Sequence, residues 1–402
     1  MLEISEISCS LTEGASERGC IAACTREATR LLGCRRQDLS RVELHRKSID
    51  ARKKSNVHFT LSARIDVVPG VDELRLLEHV PPRDARRVRA VDGAEPSFER
   101  PRNAAIAPDT DERPIVVGAG CAGLFAALTL AEAGLAPLLI EQGDDATRRT
   151  SAVRHFNATG ELDPASNIQF GLGGAGTFSD GKLNTGTKNP LHRLVLRTLV
   201  EAGSPRDILW DAKPHIGSDV LPEVVTNIVA RIRSCGGEVR FRTQVTDIEL
   251  DARGAVRGIT VTHEGRAVHI PARAVILACG HSARDVFALL KHRGVALERK
   301  TFAMGVRIEH LQADIDRALY GTAAGHPALG AAPYSLVAHL DNGRSLFSFC
   351  MCPGGEVVAA ASERGGGGTN GASLQARGGR NAHSAPLGNT TPRATPRPAR
   401  TG

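Results

Sequence analysis

Gly118, Gly120 and Gly123 stand in the pattern G-x-G-x-x-G, and an acid, Glu141, follows 23 positions after the first of them. Residue types at this spacing can hold the two phosphates and the ribose of a dinucleotide. The first glycine permits a tight turn, the second lets backbone approach a pyrophosphate, and the third lets a helix pack close to a strand. A helix N-terminus carries partial positive charge, so the phosphates need no lysine. A carboxylate about 20 residues further on is the usual ribose ligand. The same pattern recurs as Gly171-Leu-Gly-Gly-Ala-Gly176. Thr177-Phe-Ser-Asp-Gly-Lys-Leu-Asn184 follows it and offers no apolar helical face. That second string predicts a loop whose bare backbone lies against a flat ligand, with a plain surface loop as the alternative.

The first string works only if it joins a strand to a helix. Ile115 to Val117 is a β-branched run, and Leu124, Leu128 and Ala131 fall on one helical face. Gly134 ends the helix, and Leu138 to Ile140 form a second strand that stops at Glu141. This context separates a dinucleotide site from a glycine-rich turn in an ordinary βαβ unit. Val220 to Arg233 reads as a helix and Glu238 to Arg242 as a strand. Val245 to Ile270 reads as a small β-meander turning at Gly254 and Gly265, and Ala274 to Ala278 as a buried strand ending at Cys279-Gly280. Nearer the start, Ile21 to Leu32 is a helix closed by Gly33, and His58 to Val67 alternates as a strand.

The chain has 402 residues, enough for two or three domains, and a formal charge of +7. Six arginines and no acid lie from Arg364 onward, so the remainder carries only +1 and does not read as a nucleic-acid binder. The basic cluster Arg46, Lys47, Arg52, Lys53 and Lys54 is interrupted by Asp50 and lacks aromatic platforms, which favours a solvated face over an RNA or phosphate site. Nine cysteines without a C-x-x-C exclude a zinc ribbon or a thioredoxin-type relay. Their odd number, with no signal peptide, points to reduced thiols in a cytoplasmic protein. Cys20 and Cys24 lie one helical turn apart and read as buried side chains rather than metal ligands. Ile115 to Ala131, the longest uncharged apolar-rich run, is shorter than the ~20 residues of a spanning helix.

Several long strings in order resemble the uncharacterised FAD-dependent dehydrogenases, within the glutathione-reductase-like class of flavoproteins. They are Arg46-Lys-Ser-Ile-Asp-Ala-Arg-Lys-Lys54, the glycine fingerprint, Ser166-Asn-Ile-Gln-Phe-Gly171 and Gly173-Gly-Ala-Gly-Thr-Phe-Ser-Asp-Gly-Lys-Leu-Asn184. Asp211-Ala-Lys-Pro-His-Ile-Gly217, Gly280-His-Ser-Ala-Arg-Asp285, Gly305-Val-Arg-Ile-Glu-His310 and Phe349-Cys-Met-Cys-Pro-Gly-Gly355 complete the set, and the match runs from about Arg41 to Ala385. The resemblance implies an α/β fold: an FAD-binding Rossmann-like ββα domain with a β-meander, an α+β N-terminal domain and a partial substrate domain. The division expected is 1–92 for the N-terminal domain, 93–113 for a linker and 114–290 for the FAD-binding domain, with an inserted segment at about 185–215. Residues 291–363 would be the partial substrate domain and 364–402 a disordered or out-of-frame tail. In this family the chain continues past Arg380-Asn-Ala into more substrate domain and a final helix aimed at the flavin. From about residue 386 the present chain turns to Pro, Arg, Thr and Ala, which predicts truncation or a frameshift, with a genuine disordered tail as the alternative.

The resemblance implies that Gly118, Gly120 and Gly123 approach the FAD pyrophosphate and Glu141 the adenosine ribose. It places the Val245 backbone at the adenine, Gly280 near the pyrophosphate, and Gly173, Gly174, Ser179 and Asp180 along the ribityl chain and isoalloxazine. Lys182 and His281 are the acid–base candidates, against a solvated lysine and a helix-capping histidine. Cys350 and Cys352 share a strand face, which fits neighbouring thiols coupled to flavin or, more blandly, small buried residues. No metal site is expected. The implied function is hydride transfer between an unidentified small organic substrate and flavin N5. NAD(P)H is a candidate donor, although one dinucleotide fold leaves it no Rossmann domain of its own. The alternatives are a non-catalytic flavin- or nucleotide-binding protein, or an inactive truncated product. Neither nucleic acid nor membrane is an expected partner.

Overall fold

A computed structural model describes residues 1–93, 113–186 and 189–389. Most of the expected linker and the end of the expected tail therefore lie outside the described residues.

The first unit is an antiparallel sheet covered by one helix. Its elements are β1 (Leu2–Cys9), α1 (Glu17–Leu32), β2 (Leu39–Asp50), β3 (His58–Val67), α2 (Glu73–Glu78) and β4 (Val88–Ala90), with sheet order β2-β3-β1-β4. Leu2, Ile4, Ile7 and Cys9 are all buried, although strict alternation would turn Ile7 outward. A bulge between Ile4 and Ile7, with Glu6 at φ +55°, resets the register. Helix α1 starts one turn earlier than its apolar periodicity suggests, because Ser16 Oγ accepts from the Gly19 amide. Gly33 closes it at φ +62°. Cys20 and Cys24 lie in the core between α1 and the sheet. Among the described residues no three potential metal ligands cluster.

The middle of the chain forms a parallel sheet. Strand β5 (Ile115–Val117), helix α3 (Cys121–Glu132) and β6 (Leu138–Ile140) are followed by helices α4 (Ala146–Thr159), α5 (Leu191–Glu201) and α6 (Leu221–Ser234) and strand β7 (Glu238–Arg240). A meander of β8 (Thr243–Leu250), β9 (Val256–His263) and β10 (Arg266–Pro271) then leads to β11 (Val275–Leu277). Strands pair in parallel in the order β11-β5-β6-β7. Leu124, Ala127, Leu128 and Ala131 form the buried stripe of α3, which packs with α6 on one face of this sheet. Ile115, Val117, Leu138 and Ile140 point to the other face and meet Val245, Ile248, Ile259 and Val261 of the meander. The two central strands, β5 and β6, are covered on both faces, which is why they are uninterrupted apolar runs.

The last described region contains α7 (Arg284–His292), β12 (Ala303–Gly305), β13 (Ile308–Leu311), α8 (Gln312–Tyr320), β14 (Val337–His339), β15 (Ser345–Cys352), β16 (Glu356–Ala359), β17 (Thr369–Ala372) and β18 (Asn381–Asn389). Strand β18 pairs with β12, β13 and β15, and β16 pairs with β17. This differs from the structureless tail expected from residue 364. The composition of 364–389 cannot fold alone, but it folds on strands supplied by earlier parts of the chain. Pro386 is accommodated inside a paired strand because β12 ends opposite Leu387 and β13 begins opposite Ser384. Its missing N–H faces the gap between those two partners.

Candidate functional site

The turn between β5 and α3 opens into a cavity of about 370 Å³ at the carboxyl ends of the parallel strands. Gly118 takes φ +99°, and a β-carbon there would lie 2.6 Å from the Ala278 carbonyl oxygen. At Gly123 a β-carbon would lie 1.8 Å from the Gly118 carbonyl oxygen, so the helix seats on the turn only because both residues are glycine. Gly120 differs from both. A β-carbon there meets nothing nearer than Gly174 Cα at 3.8 Å, so protein does not fill the space in front of it. Gly120, Cys121 and Ala122 line that space at the start of a 12-residue helix. The first amides of a helix have no intrahelical partner and face an incoming anion. A pyrophosphate fits a bare-backbone cradle of this kind.

Glu141, at the end of β6, lines the same cavity and is buried. Its Oε2 accepts from the Ala119 amide at 2.8 Å, and its Oε1 from the amides of Gly143 and Gly171, each at 3.0 Å. The carboxylate therefore ties the first glycine turn to the second. About four acceptor sites exist on a carboxylate, so capacity remains for one more donor.

The second glycine string packs directly against the first and lines the same cavity. Gly173 donates to the Ala119 carbonyl at 2.8 Å, and Gly174 to Gly176 form a single 3-10 turn. Arg149 of α4 fixes this loop from behind and was not anticipated. It is fully buried. Its guanidinium donates to the carbonyls of Asn167, Ile168, Gly171 and Leu172 at 2.6–3.2 Å, and it stacks 4.9 Å from the Phe178 ring centroid. Burial pulls its pKa down to about 10. Nothing in the local sequence marks Arg149, because its partners are main-chain carbonyls up to 23 residues away.

Gly118, Gly120, Glu141, Gly173, Gly174, Val245, Gly280 and His281 all line one cavity. Gly123 packs behind it. Val245 sits beside a register shift in β8, and Gly280 takes φ +76° with open space around it. His281 is exposed at the mouth. Ser179, Asp180 and Lys182 lie away from this lining. Ser179 Oγ donates to the Gly176 carbonyl at 2.8 Å and caps the turn. Asp180, buried, accepts from Ser373 Oγ and pairs with Lys182 Nζ at 2.6 Å and Arg377 at 2.7 Å. Lys182 Nζ faces Cys352 Sγ at 3.3 Å. Lys182 and Cys352 are 170 positions apart in sequence, so their meeting could not be read from spacing.

Among the described residues no helix is long and apolar enough to cross a membrane. Three segments match known families: residues 113–167 the FAD binding domain, residues 301–399 the C-terminal-domain-like family of FAD-dependent proteins, and residues 1–66 a domain of unknown function. An uncharacterised protein of Clostridium beijerinckii is 42% identical over 359 residues, covering 88% of this chain and 64% of the relative. The chain thus spans less than two thirds of that relative's length. Similar solved structures include the halogenase PltM in complex with FAD, with TM-score 0.37, 14% identity, and 70% and 51% of the two chains covered. A 3-ketosteroid dehydrogenase of Rhodococcus jostii gives TM-score 0.32 at 15% identity, with 62% and 69% covered. The bare-backbone cradle at Gly120 and the FAD-binding match over it coincide in one mixed α/β region, and FAD is the cofactor of this chain.

Proposed function

We propose that this chain is the FAD-holding part of an oxidoreductase that moves a hydride between a small organic substrate and the flavin. The observation that carries this reading is the unfilled space before Gly120, framed by helix amides, in a segment that matches an FAD binding domain. FAD, when bound, supplies two-electron redox chemistry at N5. The protein supplies position and electrostatics. Gly120, Cys121 and Ala122 present amides to the pyrophosphate, and the remaining acceptor position of Glu141 takes a ribose hydroxyl. The Val245 main chain meets the adenine. Gly173 and Gly174 give a flat backbone wall for the ring system. His281, exposed at the mouth, is placed to exchange a proton with substrate or solvent.

The test is a purification followed by a donor screen. The full chain should carry yellow flavin that is identified as FAD after denaturation. Anaerobic addition of candidate donors, including NADH, NADPH and reduced organic compounds, should bleach it with at least one of them. A colourless chain that binds no added FAD would overturn the reading of the site. A yellow chain bleached by dithionite and by no organic donor would overturn the enzymatic reading.

A further inference from the structure

We propose that Cys350 and Cys352 form a redox-active dithiol that closes to a disulfide by exchange with small anionic disulfides, Cys350 attacking and Cys352 resolving. The site is separate from the nucleotide cavity, whose lining includes neither cysteine nor Lys182.

Geometry is the first support. The register of β15 against β18 shifts between Phe349 and Cys352, and Cys350 takes φ +51°. Positive φ is uncommon for a residue with a side chain. The bulge brings Cys350 Sγ to 3.9 Å from Cys352 Sγ. A disulfide needs about 2.05 Å, so the two sulfurs must close the remaining gap as the bond forms. Charge is the second support. Lys182 Nζ stands 3.3 Å from Cys352 Sγ and 4.0 Å from Cys350 Sγ. A cation beside a sulfur favours the thiolate, which is the nucleophile. Asp180 holds Lys182 in place, and its own charge is shared with Arg377. Arg307, at 3.0 Å from His383 Nδ1, adds a further cation on the same side.

The hydrogen bond from Cys352, with Lys182 and Arg307, brings the Cys350 thiol down to about 6 against the opposing pull of burial and of Asp180. Burial pushes Cys9 up to about 11 and Cys24 up to about 12. Exposure settles the roles: Cys350 is half-buried, whereas Cys352 is fully buried.

The exchange balances without any further reagent. The Cys350 thiolate attacks one sulfur of RSSR, the S–S bond breaks, and RS⁻ leaves. Cys352 gives up its proton and attacks the Cys350 sulfur, expelling the second RS⁻. Two protein thiols are oxidised by two electrons, one disulfide is reduced, and both protons end on the two RSH products. The cationic surroundings suit a disulfide bearing carboxylates.

Trypsin cleaves after Arg344 and Arg364, so one peptide carries Cys350 and Cys352 and no other cysteine. The full reduced chain is exposed to oxidised glutathione at pH 7, quenched in acid, alkylated and digested. The expected product is this peptide with an internal disulfide and no alkyl groups, while Cys9 and Cys24 are alkylated. In Cys352→Ser, Cys350 should accumulate as the mixed disulfide. Lys182→Met should slow the reaction about tenfold at pH 7 and recover at higher pH, as expected when thiolate fraction limits the rate. A doubly alkylated wild-type peptide at every glutathione ratio would overturn the proposal. So would Cys350→Ser reacting at Cys352 as fast as wild type.

Discussion

The chain writes G-x-G-x-x-G twice, and the two copies pack side by side in the lining of a single cavity. Their first glycines behave alike, at φ +99° for Gly118 and φ +116° for Gly171. They diverge afterwards. In the first copy the middle glycine is open to the cavity and the third is clamped, its notional β-carbon 1.8 Å from a carbonyl oxygen. In the second copy the middle glycine is clamped, with a β-carbon at Gly173 falling 1.9 Å from Thr177 Oγ1, and Gly176 has nothing within 4 Å. The difference follows from what comes next. A 12-residue helix must seat on the first turn, whereas a single 3-10 turn follows the second. An identical string can therefore spend its glycines on helix docking or on loop shape, and only the first use makes an anion cradle.

The contrast can be broken at four places. Gly123→Val should have the largest effect, because the clash is with backbone: at least about 3 kcal/mol of stability lost in urea unfolding. An unchanged midpoint would show that the helix does not need that close approach. Gly120→Val should leave stability within about 1 kcal/mol of wild type and abolish FAD copurification. If the variant retains as much flavin as wild type, the cradle has been misplaced. Glu141→Ala unpairs three buried amides and removes the ribose acceptor, so stability and FAD affinity should each fall by about 1–3 kcal/mol. Equal flavin titrations for the two proteins would confine Glu141 to bracing the turns. Gly176→Ala should be the mildest, within about 1 kcal/mol of wild-type stability, since no atom opposes the new methyl. A large loss there would make the two third glycines equivalent after all.

What the sequence made legible was local. The β5–α3–β6 unit, the strand over His58–Val67 and the meander after Thr243 each rest on short-range periodicity and turn residues. Val245, inside β8, and Gly280, just past the end of β11, were reached through the family resemblance rather than through local periodicity. Residues whose partners lie far along the chain were illegible. Arg149 finds its carbonyls in a later loop, and Asp180 finds Arg377 at a separation of 197 residues. Lys182 reads from sequence as a flavin-side cation, yet its neighbours in the fold are Asp180 and two sulfurs. Strand β18 hid for another reason: Pro386 and Gly388 argue against a paired strand until the gap between β13 and β12 is seen.

That placement of β18 bears on how the protein is made. The first sheet is complete once residue 90 has left the ribosome, and the parallel sheet once β11 joins β5. The last sheet has no such schedule, since β12, β13 and β15 all wait for a strand synthesised after them. Until it arrives, three strands present unpaired edges, the kind of surface that recruits other chains. Of these three sheets, the one completed latest is thus also the one most exposed to aggregation, and chaperone demand should fall on the interval between Cys352 and Asn389.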